Sequence, residues 1–346
     1  MNILQLKENH LFVSRAATAI YLILRKEKIS QKKILYPANI CYAAIYPSIY
    51  AGNDPIFCDV NSKTGNVTYE IVSKYVDQIA AMVLPHMYGN PIEDIVAIRK
   101  LCDQKKVLLI EDCASAMGSY VSEGICGQWG HYSIFSTGYS KTIDLGKGGI
   151  LLTDKSIDDI KIEYSKLPKW TTKNEENEMF FSKLYRLIRN TPEQTLSQYI
   201  WQGFYNNLKE LFIYQLPGID HEIENALENL GDIKRQRKTE VGLYNKFLKQ
   251  SELFRVYEFS KDAVPWRFSI LISEKKEKQK LISYLLKNNI PVSDWYPVVT
   301  PIFGIKDEFS GATKMENEIV NFPLLVGEDE IKRICECMNN YISNKN

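Results

Sequence analysis

At 346 residues, with 45% hydrophobic residues, 25% charged residues and a formal net charge of +1, the chain reads as a soluble globular protein long enough for two domains. It lacks the basic excess that binding to a phosphate backbone requires, so nucleic acid is not an expected partner. No apolar run approaches the roughly 20 residues that span a bilayer, so no integral membrane segment is expected.

At the start, Lys7, Glu8 and Asn9 stand where a signal peptide needs an apolar stretch, which points to a cytoplasmic location. Residues 16 to 28, "AATAIYLILRKEK", read as a helix, with Ser14 available as its N-cap and basic residues in the last turn. Six short apolar runs follow: "KILYPA", "DPIFCDV", "IAAMVLPH", "KVLLIED", "YSIFST" and "GGILLTD". Apolar runs without strict alternation suit strands buried on both faces. Helical stretches such as "PIEDIVAIRKLCDQKK" separate several of them, so the pattern predicts an α/β layered domain with a mostly parallel sheet. Ligands gather at the carboxyl ends of such strands, which singles out Asn39, His86, Asp112, Ser136 and Lys141.

From about residue 155 to 215 the sequence turns charged, aromatic and helical, as in "NEMFFSKLYRLIRN" and "LSQYIWQGFYNNLKELFIYQ", and reads as an inserted helical layer or dimer surface. "IDHEIENALENLGDIKRQRKTEVGLYNKFLKQ" then reads as one long helix. "WRFSILI", "EKQKLISYLLKNNI" and "FPLLVGEDEIKRICECMNNYI" complete a smaller α+β unit, with the boundary near residue 240. The seven cysteines, at 41, 58, 102, 113, 126, 335 and 337, are scattered and fit neither a disulfide framework nor zinc spacing. Four histidines without an H-x-x-x-H pair give metal catalysis little footing, and no metal is expected. No G-x-G-x-x-G opens the first strand-helix turn, which counts against a nicotinamide-dependent enzyme.

Glu111 and Asp112 end the run "VLLI" where a parallel strand delivers a site, and Lys141 follows the next apolar run. A buried carboxylate and a lysine on adjacent sheet ends are what pyridoxal phosphate chemistry requires. The amine bonds to the cofactor aldehyde after losing its proton, and the acid keeps the pyridine nitrogen protonated.

The run "VLPHMYGNPIEDIVAIRKLCDQKKVLLIEDCASAMGSY" followed by "GQWGHYSIFSTGYSKTIDLGKGGILLTD" resembles the core of the DegT family of nucleotide-sugar aminotransferases. "YPANICYAAIYPSIYAGNDPIFCDV", "EIENALENLGDIKRQRK", "NIPVSDWYPVV" and "FPLLVGEDEI" extend the resemblance over nearly the whole chain, except the insertion. It implies the fold-type-I pyridoxal phosphate architecture: a large three-layer α/β/α domain over residues 1–240 and a smaller C-terminal α+β domain over 241–346. It makes Lys141 the lysine that carries pyridoxal 5'-phosphate and shuttles protons, Asp112 the partner of the pyridine nitrogen, and Ser136 a phosphate ligand. Ala17 and Thr18, at the start of the first helix, fall where the family places further phosphate contacts.

Ser115 stands where the family commonly has glutamine or histidine near the cofactor ring oxygen. Cys41, with Tyr42 beside it, matches the position of an aromatic ring over the cofactor, and Asn39 is a further candidate. Pro217, Gly218 and Ile219 replace an Asn-x-Arg stretch whose asparagine reaches the neighbouring subunit's phosphate. "GKGG" replaces an acid followed by paired glycines, which makes Lys147 the runner-up lysine. His86 and His131 are assigned structural roles.

The resemblance implies transfer of an amino group, from glutamate by analogy, to a nucleotide-linked keto-sugar in amino-sugar and surface-polysaccharide synthesis, by a homodimer. A lysine at position 141 counts against the family's dehydratases, which carry histidine there. The departures motivate one alternative, a weak or inactive homologue acting as a binding or regulatory subunit.

Overall fold

The computed structural model describes residues 2–121, 124–189, 209 and 211–345, and all six apolar runs form strands there. The strands are β1 (Asn9–Val13), β2 (Lys33–Pro37), β3 (Asp54–Cys58), β4 (Ala81–Pro85), β5 (Leu108–Asp112), the short hairpin β6 (Tyr120–Val121) and β7 (Gly124–Ile125), β8 (Tyr132–Ser136) and β9 (Gly149–Thr153). Seven of them make one sheet in the order β1-β9-β8-β5-β4-β2-β3. The five from β3 to β8 run parallel, and β9 is antiparallel to both β8 and β1. β4, β5 and β9 are buried at every position, as expected of strands covered by helices on both faces.

β1 was not among the predicted strands. Its first four residues are only partly buried, and it lies at the sheet's edge, so it carries neither a continuous apolar run nor a turn signal. Its pairing with β9, Val13 opposite Gly149, comes entirely from sequence-distant contact.

Helix α1 (Ala16–Lys26) buries Ala17, Thr18, Ala19, Ile20, Leu22, Ile23 and Leu24, and places Arg25 and Lys26 in its last turn, where they complement the helix dipole. Its N-cap is Arg15, which makes no side-chain capping bond. Ser14 is not the cap: its hydroxyl donates to the Tyr214 carbonyl. Gly149 lets this helix begin against the sheet, since a Cβ there would lie 2.6 Å from Ala16 N. Helices α2 (Tyr46–Tyr50), α3 (Tyr69–Val72), α4 (Ile95–Lys105) and α5 (Asp158–Ser165) complete the covering layers.

Around the insertion, residues 168 to 170 pair with Gln215, whose N–H donates to Pro168 O at 2.9 Å. Helix α6 (Thr172–Arg189) leaves from this base. Phe181 together with Leu211, Phe212 and Ile213 packs on Ala17 and Tyr46, with the Tyr46 and Phe212 rings stacked 5.8 Å apart. Most of the predicted helical stretch "LSQYIWQGFYNNLKELFIYQ" lies outside the described residues.

The predicted single long helix is two, α7 (Ile219–Glu228) and α8 (Leu230–Phe247). They break at Asn229, whose ψ of 1° leaves the helical range. Beyond them β10 (Arg255–Val256), β11 (Phe268–Leu271) and β12 (Ile319–Phe322) form an antiparallel sheet. Helices α9 (Lys275–Lys287), α10 (Ser310–Glu318) and α11 (Glu328–Ser343) belong to the same region. A separate apolar core gathers here, including Phe268, Leu281, Leu285, Phe322, Ile331, Ile334 and Met338. Tyr244 of α8 joins it, its ring stacked 4.4 Å from Phe268. Among the described residues no helix is long and apolar enough to cross a membrane.

Candidate active site

Strand register brings the candidate residues to one edge of the large sheet. Asp112 lies level with Pro85 of β4 and Ile134 of β8, and Ser136 opposite Gly149 of β9. α1 starts at the same edge, because β1 runs parallel to β8 and ends beside Gly149.

Successive residues of a strand face opposite sides of the sheet, so the neighbours Glu111 and Asp112 have separate jobs. Glu111 is fully buried and accepts six hydrogen bonds. The donors are His86 Nε2 (2.9 Å), the N–H groups of Gly127 (2.6 Å), Trp129 (2.8 Å) and Gly130 (2.7 Å), Ser133 Oγ (3.3 Å) and Cys113 Sγ (3.7 Å). Burial would raise its pKa, but the His86 contact and the Gly127 and Gly130 amides outweigh it and hold the carboxyl below its ordinary value.

Ile92 N–H donates to His86 Nδ1 at 2.9 Å, so the ring proton sits on Nε2, facing Glu111. Burial lowers the histidine pKa while Cys126 and Glu111 raise it, upward on balance. A second proton would nevertheless have to enter at Nδ1, against the Ile92 N–H, so this bonding pattern holds the ring neutral. The ligand atoms of His86, Glu111 and Cys113 lie within 4.8 Å of one another. His86 Nε2 and Cys113 Sγ both donate to Glu111 Oε1, so the three form a brace for the loop that leads into β8.

Glu111→Gln is therefore expected to cost roughly 3–5 kcal/mol of stability, because an amide would turn N–H groups toward N–H donors. Denaturant unfolding would measure it. The folded pKa is depressed, so the stability Glu111 contributes is complete above the ordinary carboxyl value and is lost as pH falls through the folded one. The variant should lack that acid-side loss.

Asp112, 7% exposed, accepts one hydrogen bond, from Ala114 N–H to Oδ1 at 2.9 Å. Its Oδ2 has no hydrogen-bond partner among the described residues. Burial raises its pKa, opposed by the Ala114 amide and Lys141. A buried carboxylate with one oxygen unspent calls for a cationic N–H partner.

Lys141 donates from Nζ to Ser115 Oγ at 3.2 Å, and Ser115 Oγ lies 3.4 Å from the Tyr296 hydroxyl. Burial would lower the lysine pKa, but the Tyr296 hydroxyl, the Cys41 sulfur and the Asp112 carboxylate carry it above the ordinary value. The free protein thus keeps this amine charged. Arg237 of α8, nearly buried, fixes the lysine backbone: it donates to Lys141 O (3.1 Å) and also holds Pro265 O (3.2 Å) and Trp266 O (2.8 Å). Lys147, by contrast, is 41% exposed in its side chain and ion-paired with Glu222 at 3.0 Å.

Cys41 lies within electrostatic reach of Lys141 and Asp112, its thiol pKa pushed up by burial. Tyr42 faces Phe181 at 5.3 Å and Trp295 at 6.5 Å between ring centres. Asn39 is buried and donates to Gly65 O at 2.9 Å, while its Oδ1 has no partner among the described residues. Ser136 Oγ accepts from Gly138 N–H at 3.2 Å and keeps its own proton free to donate. Ala17 lies in the first turn of α1, whose N–H groups have no partner within the helix. The Thr18 hydroxyl is turned the other way, donating to Phe212 O at 2.7 Å and meeting Ser14 Oγ at 2.9 Å.

Sequence reasoning missed Tyr296, Trp266 and Arg237. They reach the lysine from the C-terminal half; Tyr296 lies within "NIPVSDWYPVV" and Arg237 within "EIENALENLGDIKRQRK", but neither stretch says which side chain meets the lysine. Gly89 marks that approach: a Cβ there would lie 2.1 Å from Val264 O, so "MYG" requires a small residue where the 264–266 segment arrives.

The sequence matches the DegT/DnrJ/EryC1/StrS aminotransferase family over residues 5–339. It is 26% identical over 350 residues to the GDP-perosamine synthase of Vibrio cholerae, covering 96% of this chain and 86% of that protein. The fold is similar to that of the aminotransferase TlmJ from Streptoalloteichus hindustanus, with a TM-score of 0.75 at 17% identity over 97% of this chain and 86% of that one. It is also similar to that of the E. coli GDP-4-keto-6-deoxy-D-mannose-3-dehydratase with bound hydrated PLP. There the TM-score is 0.69 at 18% identity, covering 96% and 88% of the two chains.

Proposed function

The chain belongs to the DegT/DnrJ/EryC1/StrS aminotransferase family, and from that premise we propose that it moves an amino group from an amino-acid donor, glutamate by analogy, to a nucleotide-linked keto-sugar. The cofactor we propose is pyridoxal 5'-phosphate. The similarity to a GDP-perosamine synthase supports the sugar substrate, and the bound PLP of the similar dehydratase supports the cofactor. The observation that carries the reading is the convergence of the Lys141 amine, Ser115 and the half-spent Asp112 carboxylate at one sheet edge.

When bound, the cofactor supplies an electron-withdrawing ring that stabilises negative charge at the substrate carbon. Asp112 Oδ2 would hold the ring nitrogen's proton, and the positive ring would in turn supply the cation this carboxylate lacks. Ser136 Oγ and the first-turn amides of Ala17 and Thr18 would hold the phosphate, which a helix N-terminus suits. Ser115 Oγ is shorter than a glutamine or histidine would be, and the Tyr296 hydroxyl beside it fills the remaining space next to Lys141. Cys41 and Tyr42 would border the ring. Lys141 Nζ must shed its proton before bonding to carbon, and afterwards it is the base that carries a proton to and from the substrate.

Residues 1–240 are read as the cofactor-binding domain and 241–346 as the smaller one, in a homodimer whose second copy completes each site. All seven cysteines are free, which suits a reducing cytoplasm.

Reduction of the cofactor-saturated protein with borohydride, followed by peptide mass spectrometry, tests this reading. The expected result is a pyridoxyl mass on Lys141. No adduct would overturn it and favour a binding or regulatory role, and an adduct on Lys147 would overturn the assignment of Lys141.

A further inference from the structure

Arg267 is a half-buried cation without a counter-ion among the described residues. It stands immediately before β11, and its guanidinium carbon lies 5.3 Å over the Trp266 ring. That ring is 5.5 Å from Tyr296, whose hydroxyl borders Ser115 and Lys141. Among the described residues no hydrogen bond or ion pair engages the guanidinium. Burial pulls its pKa down, while Tyr296 and Asp144 act to hold the charge. Asp144 is exposed and spends its oxygens on the N–H groups of Ser140 (2.7 Å) and Gly146 (3.0 Å). Arg237 brings no relief, since it adds a second positive charge that Arg267 depresses further, and its Nη1 and Nη2 donors are committed to main-chain carbonyls.

Withdrawing a guanidinium from water without an anion costs free energy. Stacking on Trp266 restricts its orientation, which pre-organises a flat fork of donors. Successive contacts through the Trp266 and Tyr296 rings and Ser115 connect this unpaired charge to the Lys141 amine.

We infer that Arg267 is a substrate-recognition residue that binds an oxyanion group of a molecule reacting at Lys141. The inference rests on the aminotransferase reading, in which both substrates carry such a group: a carboxylate on the amino donor and a diphosphate on the nucleotide-linked sugar. Each offers paired oxygens that match the guanidinium fork.

Protein saturated with pyridoxal phosphate would be titrated calorimetrically with GDP, UDP and dTDP in one arm and with glutamate in the other. Arg267→Gln is expected to weaken one arm by about tenfold to a hundredfold, and the arm that weakens identifies the source of the anion. Should Arg267→Gln fail to fold, Arg267→Lys keeps the charge but loses the fork, with an expected loss of about threefold to tenfold. Equal affinities in wild type and variant for every probe would overturn the inference. So would the absence of any binding to a wild-type protein whose Lys141 takes the borohydride adduct. Failure of that adduct in the wild type would instead sink the aminotransferase reading, and the wild-type to Arg267→Gln comparison would still decide the role of Arg267.

Discussion

Replacing Lys141 with alanine is expected to lower transamination by at least about 10,000-fold, while the protein still folds and still binds the cofactor without a covalent link. Lys141 Nζ is held 3.2 Å from Ser115 Oγ, and the main chain beneath it is fixed by Arg237 at 3.1 Å. The same nitrogen would attach the cofactor and move the proton, so its removal deletes two contributions at once. Lys141→Arg separates charge from chemistry: the guanidinium keeps the positive charge but does not deprotonate in a protein, and it should be as inactive as alanine. Added methylamine should partly rescue Lys141→Ala and leave Lys141→Arg unchanged, because only the former leaves room for a free amine. Activity within tenfold of wild type in Lys141→Ala would show that another group carries the proton.

The sheet was legible because buried parallel strands write themselves as short apolar runs, and all six appear in the structure. The sheet edge carrying Asp112, Ser136 and Lys141 followed from those runs alone, since polar residues that end apolar strands mark it. β1 was illegible because an edge strand needs no continuous apolar sequence, and the Asn229 break because helical periodicity continues across it.

The division of labour between Glu111 and Asp112 required the structure. Both are acids ending one strand, but only three-dimensional contact shows that Glu111 is saturated by six donors while Asp112 keeps an oxygen free among the described residues. Tyr296 and Arg267 lay beyond sequence reasoning for a similar reason. Their nearness to Lys141 depends on how the C-terminal half packs, and even "NIPVSDWYPVV", which holds Tyr296, does not say which of its side chains meets the lysine.

The short Ser115 side chain looked in the sequence like a loss at the site. In the structure the Tyr296 hydroxyl lies 3.4 Å from it, so the space a longer residue would fill is occupied from elsewhere in the chain. The Thr18 hydroxyl shows the opposite case. The residue stands at the expected place, yet its hydroxyl is spent on Phe212 O at 2.7 Å, which leaves Ser136 and the helix amides as the donors available to a phosphate.

Asp112→Asn is expected to leave the borohydride adduct at Lys141 intact while lowering kcat/KM on the order of a hundredfold. Asparagine preserves shape and can still accept the Ala114 N–H, so the strand end should keep its geometry. What it lacks is negative charge. A carboxylate beside a ring nitrogen favours the protonated ring through a charge-assisted bond worth about 1.5–3 kcal/mol, and only the protonated ring draws electrons strongly from the substrate carbon. Burial raises the Asp112 pKa in the free protein, so the carboxylate and the ring cation stabilise each other when the cofactor is present. Losing either leaves the other more costly to bury. The deficit should therefore fall on the proton-transfer step and enlarge the primary deuterium isotope effect measured with α-deuterated amino donor. An unchanged kcat/KM, or loss of the adduct together with activity, would show that Asp112 shapes the site without acting on the ring.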